Sequence, residues 1–313
     1  MRHYKANPTI SSNGVHAGGV VGFFKEIEGL CQRLGPQRVH IIWEGGKNHH
    51  RETIFKDYKR TQKSQNYNRF YDDIPDTSEN RIEQIAFLIK CFKTLPIYQH
   101  FVEGCEAIDI IEYISRHIYE YANIVVASSN KGLYQLINDR TIIWSPGQKK
   151  EITTNIVLGK ICIHPNNIAI ARACVGDKND NIEGIKGVGF KTLAKRLPFL
   201  KGSNVFSIDD IIKECKKQQA ISTVKMYNDI LQNIDLIKRN YELMKLDITN
   251  LTTPQIKQIK ESVINAVDKQ YNKLAFLRNL YKFGLKNYDP NLLFLTMNIL
   301  NNNNTVINEY GEC

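Results

Sequence analysis

The chain has 313 residues, 42% hydrophobic and 24% charged, enough for one large domain or two ordinary ones with a substantial core. No run approaches the ~20 apolar residues of a membrane span, and Met1-Arg2-His3-Tyr4-Lys5 opens onto polar residues, unlike a secretory leader. Against 32 Asp+Glu stand 42 Lys+Arg, and the resulting +10 favours a polyanionic partner.

In chain order, Val39-His40-Ile41-Ile42-Trp43 reads as a buried parallel strand, closed by Glu44-Gly45-Gly46. A long connection follows, from Lys47 to about Asn80. It carries Lys47, Arg51, Lys56, Lys59, Arg60, Lys63 and Arg69, interleaved with Phe55, Tyr58, Tyr67, Phe70 and Tyr71. Connections this long are usually functional or disordered. Basic residues among aromatics suit a phosphate backbone and unstacked bases; the alternative is a solvated loop with aromatics tucked against the domain. Arg81 to Leu95 and Ile108 to Tyr119 carry apolar residues at a helical period, and Ile124-Val125-Val126-Ala127 reads as a second buried strand. Alternating strands and helices predict an α/β domain over residues 1–160, a parallel sheet with helices on both faces. Beyond residue 165 strand signals fade, and Lys-rich stretches with Leu/Ile periodicity predict a helical part over 161–313. The Asn301 to Asn304 cluster reads as a disordered polar end.

Seven scattered cysteines without a C-x-x-C pair argue against a disulfide framework or a cysteine zinc site and fit a reducing cytoplasm. His49-His50 sits in a basic, polar stretch and reads as charged surface.

Chemistry concentrates near Gly184-Ile-Lys-Gly187-Val-Gly189-Phe-Lys191-Thr192. This nearly spells a phosphate loop, but Phe190 separates the last glycine from the lysine and no strand precedes it, so an NTP-binding ATPase is disfavoured. What remains is a glycine turn opening a helix, Lys191 to Leu197. Gly187 and Gly189 let backbone approach a phosphate, the helix start points N–H groups at it, and Lys186, Lys191 and Lys195 follow without an intervening acid. Immediately upstream, Asp177 and Asp180 are spaced to converge on one cation.

From Gly176-Asp177 through Asp180-Asn181-Ile182 to Lys191-Thr192, the chain resembles the 5′-nucleases: flap endonucleases and 5′→3′ exonucleases, including the bacteriophage branch often called RNase H. Agreement continues in order upstream, at Glu44-Gly45-Gly46, Arg51, Tyr58-Lys59, Cys105-Glu106-Ala107-Ile108-Asp109 and Ser128-Ser129-Asn130-Lys131-Gly132. The match covers roughly residues 4 to 200.

The resemblance implies hydrolysis of phosphodiesters by two divalent cations, Mg²⁺ or Mn²⁺, with a monovalent cation at the glycine turn. On the family's pattern Glu44, Glu106 and Asp109 face one metal, and Asp177 and Asp180 the other. Arg51 and Lys59, from a basic arch over about 47–80, act on the scissile phosphate. Lys56, Lys63, Gly187, Gly189, Lys191, Thr192 and Lys195 would contact DNA, the last group from a helix–turn–helix (helix-hairpin-helix) motif at about 165–200. The implied partner is duplex DNA with a 5′ end or flap, or an RNA–DNA hybrid, met by a monomer away from membranes in a bacterial or phage-infected cell.

The departures fall on the carboxylates. The family's first Asp lies on a strand before the helix that Met1-Arg2-His3-Tyr4 resembles, and it has no counterpart in this sequence. Glu44 stands for Asp, Ile108 cannot ligate, Asn130 has lost its charge and Gly132 its side chain. Each missing charge is worth about 4 kcal/mol at ~4 Å and an effective dielectric of ~20, before desolvation. Two readings stay open: an active 5′-nuclease in replication, or a DNA-binding protein on the same scaffold that cuts little or not at all.

Overall fold

The computed structural model describes residues 2–60, 78–264 and 271–310. Its helices are α1 (Arg2–Ala6), α2 (Gly18–Leu34), α3 (His49–Ile54), α4 (Ser78–Phe92), α5 (Ala107–Tyr113), α6 (Thr154–Ile161), α7 (Ile168–Val175), α8 (Phe190–Arg196), α9 (Ile208–Gln219), α10 (Lys225–Gln232), α11 (Ile234–Met244), α12 (Thr253–Ile264), α13 (Lys273–Phe283) and α14 (Asn291–Tyr310). The strands are β1 (His40–Ile42), β2 (Tyr98–His100), β3 (Ile124–Ala127), β4 (Thr141–Ser145) and β5 (Lys150–Ile152). No helix among the described residues is long and apolar enough to cross a membrane.

The chain forms two compact units, each drawn from separated stretches. The first comprises Met1–Trp43, Lys63–Phe101 and Lys260–Cys313; the second Glu44–Gln62 and Val102–Ile259.

In the first unit β1 and β2 pair in parallel, His40 opposite Tyr98 and Ile42 opposite His100. Val20, Val21, Phe24, Ile27 and Cys31 repeat at helical spacing and bury one face of α2. They meet Leu88, Cys91 and Phe92 of α4, Phe276 and Leu280 of α13, and Leu293 and Met297 of α14. Gly35 ends α2 in the left-handed conformation (φ 54°), its N–H donating to the Cys31 carbonyl. The Asn cluster expected to form a disordered end is instead helical: α14 runs through Asn301 to Asn304, anchored earlier by buried Leu293, Met297 and Leu300.

In the second unit β3 pairs in parallel with β4 (Ile124 opposite Thr141, Ala127 opposite Trp144), and β4 pairs antiparallel with β5. The α/β class with parallel pairing is therefore present, with one antiparallel addition. The strands expected to be buried are half-buried: Ile41 in β1 and Val126 in β3 are buried, with Ile124 partly buried against the same core as Val126. A short β-branched run does not reveal whether both its faces are covered. The core of this unit gathers Val126, Leu133, Ile143, Ile152, Ile170, Leu193, Ile211 and Ile237 from sheet and helices alike. The cysteines among the described residues are free thiols.

Candidate active site

All five carboxylates singled out in the sequence lie in the second unit, brought together by turns with tight backbone contacts. Gly45 is one. A Cβ there would sit 1.8 Å from the Val102 carbonyl oxygen, so only glycine lets residues 44–46 lie against 102–105. Gly45 N–H donates to the Cys105 carbonyl (3.1 Å), and Glu44 Oε1 accepts from the Ala107 N–H (3.3 Å). Glu44 is exposed at residue level. Its carboxyl is raised above the usual range, first by desolvation among neighbouring atoms, against the opposing pull of Lys59.

Glu106 and Asp109 begin α5 and are each 1% exposed. Glu106 Oε2 accepts from Lys59 Nζ at 2.6 Å and from the Tyr58 hydroxyl at 3.1 Å. Arg51, on α3, is fully buried. Its Nη1 and Nη2 grip Asp109 Oδ2 and Oδ1 at 2.6 and 2.7 Å, and its Nε donates to the Leu243 carbonyl. Burial alone would pull this guanidinium down, but the hydrogen bonds and charge of Asp109, with Glu106 behind, hold it above its ordinary value. Asn48 caps α3 through its Oδ1, while its Nδ2 reaches Asp109 Oδ2 (3.2 Å); Asn250 Nδ2 reaches Oδ1 (3.3 Å). Asp109 thus carries a full set of protein donors.

Asp177 and Asp180 follow α7. Gly176 (φ 79°) and Gly184 press backbone on backbone, with a Cβ on Gly184 only 2.0 Å from the Val175 carbonyl oxygen. Between them the backbones of Asp177 and Ile182 exchange hydrogen bonds of 2.8 Å, closing a loop. Asp177 Oδ2 pairs with Arg172 Nη2, and Oδ1 accepts from the Asn179 N–H. Burial raises the Asp180 carboxyl, with Lys59 pulling it down and Asp177 pushing it up. The two loops are stitched together: Lys59 N–H donates to the Asp180 carbonyl and Asn181 Nδ2 to the Asp57 carbonyl, both at 2.9 Å. Lys59 and Asn181 are both non-glycine residues in the left-handed region (φ 53° and 58°), backbone held against its preference as at functional sites elsewhere.

Ile108, Asn130 and Gly132 each have a structural role. Ile108 packs against the apolar core of the unit. Asn130 caps the turn after β3, its Oδ1 accepting from the Gly132 N–H at 2.8 Å. Gly132 lies against Arg172, whose Nη1 would stand 2.9 Å from an added Cβ. Among the described residues no three His, Cys, Asp or Glu side chains form a group that could hold a metal. Arg51 and Lys59 pair with the buried acids Asp109 and Glu106, and Arg172 with the half-buried Asp177. Arg172 carries little signal in the sequence, as a lone basic residue in the apolar run Ile168–Val175.

The other expected contacts are scattered over the surface of this unit. Lys56, Lys186, Lys191, Thr192 and Lys195 are exposed, and Lys63 and the arch beyond Arg60 lie outside the described residues. The turn differs from expectation at one glycine. Gly187 is left-handed (φ 79°), but Gly189 caps α8 at φ −115°, ψ 168°, a conformation open to any residue. His49 and His50 are exposed, as expected of a charged surface.

The family model described as the N-terminal resolvase-like domain of 5′-3′ exonucleases matches residues 1–161. The 5′-3′ exonuclease of Aquifex aeolicus is 25% identical over 295 residues, covering 90% of this chain and 95% of that protein. The DNA polymerase I of Borreliella burgdorferi is 26% identical over 330 residues, or 99% of this chain and 33% of the polymerase. Among solved structures, a bacteriophage T5 flap endonuclease in a complex with DNA and metal ions superposes with a TM-score of 0.62 at 19% identity, over 79% of this chain and 90% of that one. That likeness concerns the fold.

Proposed function

The chain belongs to the 5′-3′ exonuclease family, and on that premise we propose that it holds 5′-ended or branched duplex DNA without efficient cleavage. One observation carries the reading: positions 108, 130 and 132 bear no carboxylate, and no metal-holding group assembles among the described residues. A pair of dications needs hard, charged oxygen ligands in number. Here Asp109 is occupied by Arg51, Glu106 by Lys59 and Asp177 by Arg172. The donor set present does not fit a two-metal centre.

Binding has support independent of catalysis. The net charge is +10, and exposed Lys186, Lys191 and Lys195 flank a turn whose Gly187 adopts a conformation most residues avoid. The T5 neighbour was captured with DNA. The second reading, a cutting 5′-nuclease, draws on Glu44 and Asp180, which make no ion pair among the described residues.

The test is a 5′-end-labelled flap duplex in Mg²⁺ and in Mn²⁺, with native-gel binding beside each reaction. The comparison protein is Ile108→Asp/Asn130→Asp/Gly132→Asp. The expected result is a parent that shifts the flap and leaves it whole. Cleavage by the parent near the rate of the comparison protein, abolished by Asp180→Ala, would establish the cutting nuclease instead. A competing RNA–DNA hybrid in the binding lanes shows which duplex is preferred.

A further inference from the structure

We propose that Lys131, Lys149, Lys150 and Lys160 form a second contact with the DNA phosphate backbone, at the C-terminal edge of the β3–β4 pair. The inference rests on the DNA-binding reading above and adds a surface to it.

Topology places these lysines together. Because β3 and β4 run parallel with Ala127 opposite Trp144, the segments leaving them emerge at the same edge. Ser128 N–H still donates to the Trp144 carbonyl (3.0 Å), so the loop 128–132 begins beside the turn that follows β4. Lys131 starts the short helical turn there. On the other side Ser145-Pro146-Gly147-Gln148 closes a turn, with Gln148 N–H donating to the Ser145 carbonyl, and Lys149 (φ 50°) swings the chain back into β5 at Lys150. Lys160, in the last turn of α6, is tied to that turn by Nζ donating to Gln148 Oε1 at 2.8 Å.

The charge of the cluster is uncompensated. All four lysines are exposed and none makes an ion pair among the described residues, unlike Arg51, Lys59 and Arg172. Lys160 is lowered from its ordinary value, first by desolvation and then by Lys150 and Lys131, so the ammonium groups feel one another. Like charges fixed in reach are held against their repulsion, and a row of phosphates relieves it. The C-terminal edge of parallel strands is also where α/β sheets place ligands, and the loop carrying Lys131 is the one carrying Asn130 and Gly132 of the candidate site. A duplex seated at that site has this patch beside it.

The experiment measures flap-duplex affinity against salt concentration for the parent, for Lys150→Gln/Lys160→Gln, and for Lys213→Gln/Lys216→Gln, which removes equal charge from exposed positions on α9. Each lost phosphate contact flattens the plot of log affinity against log salt by about 0.9, so the first variant should flatten it by nearly two units. The second should leave the slope at the parent value. These are exposed side chains, so melting temperatures should match the parent's and report intact folds. Equal slopes in all three proteins, or equal flattening in both variants, would overturn the contact while leaving the DNA-binding reading in place. A parent that fails to bind the flap at low salt would sink both.

Discussion

Arg51 and Asp109 form a two-pronged ion pair at 2.6 and 2.7 Å with no more than 1% exposure on either residue, joining α3 to the start of α5. The guanidinium also donates to Leu243, so it is committed on every side to the protein. A residue so held cannot touch a phosphate without breaking the pair, and the pair ties α3 to the start of α5.

Asp109→Asn should therefore act on stability. Removing one partner of a buried pair leaves the other charge uncompensated, typically costing about 3–5 kcal/mol. Urea denaturation of Asp109→Asn and Arg51→Met should each show a loss of that order. The double variant should lose clearly less than the sum. Additive losses would show that the pair is not coupled. The salt dependence of DNA binding by folded Arg51→Met should match the parent's, since no phosphate contact is lost.

Gly187→Ala and Gly189→Ala should part company. At Gly187 (φ 79°) an added Cβ meets nothing within 4 Å, so the cost is backbone strain alone, roughly 1–2 kcal/mol. Gly189 is extended with equally open space, and alanine there should leave the folded state unchanged within about 0.5 kcal/mol. Thermal melts separate the two. Weaker DNA binding by Gly189→Ala at an unchanged melting temperature would mean that the DNA backbone itself comes close to position 189.

How much of this was legible in the sequence depended on whether the signal was local. The 3.6-residue apolar rhythm of Arg81 to Leu95 gave α4 nearly to its ends, and Ile124–Ala127 emerged as β3 unchanged. β2 and β5 are three residues each and carry no pattern long enough to read. The Asn-rich stretch of α14 misled because asparagine is a poor helix former, whereas Leu293, Met297 and Leu300 anchor the helix from upstream. At the site, Asp177 and Asp180 stand out by their spacing, and Glu106 and Asp109 through the resemblance to the family's pattern. The support from Leu243 and Asn250 does not show in the sequence, because the Leu243 carbonyl lies 192 residues from Arg51 and Asn250 lies 141 from Asp109. Such pairings exist only once the chain is folded.

Ile108→Asp should weaken the fold. Ile108 is half-buried against the core of its unit, and a carboxylate there gives up apolar burial while facing an apolar wall. A loss of about 1–3 kcal/mol in urea denaturation is expected. If the variant is as stable as the parent, the side chain at 108 is free to turn away from the core. The same measurement guards the flap assay, because a comparison protein that is partly unfolded would understate its own cleavage.

Stability should also fall as pH rises through neutrality, through Glu112. This residue lies one turn beyond Asp109 on α5, is 1% exposed, and leaves Oε2 without a hydrogen-bond partner. Just past it the helix widens into a π-turn over Ile114–Ile118, which brings both Arg116 and His117 toward Glu112 Oε1, at 3.6 and 3.7 Å. Burial raises the carboxyl from 4.5 to about 7, against the opposing pull of Arg116. A carboxyl whose folded value is raised binds its proton more tightly in the folded state. Its contribution is therefore complete below 4.5 and is lost as pH climbs to and beyond about 7. At about 1.4 kcal/mol per unit, the loss is at most on the order of 3 kcal/mol. Glu112→Gln keeps the shape and removes the titration, so its stability should stay flatter across this window and exceed the parent's above it. The difference between the two profiles isolates Glu112 from Glu44 and Asp180, whose raised values act with the same sign. Parallel profiles for parent and variant would show that Glu112 keeps its charge in the fold, held by Arg116 and His117.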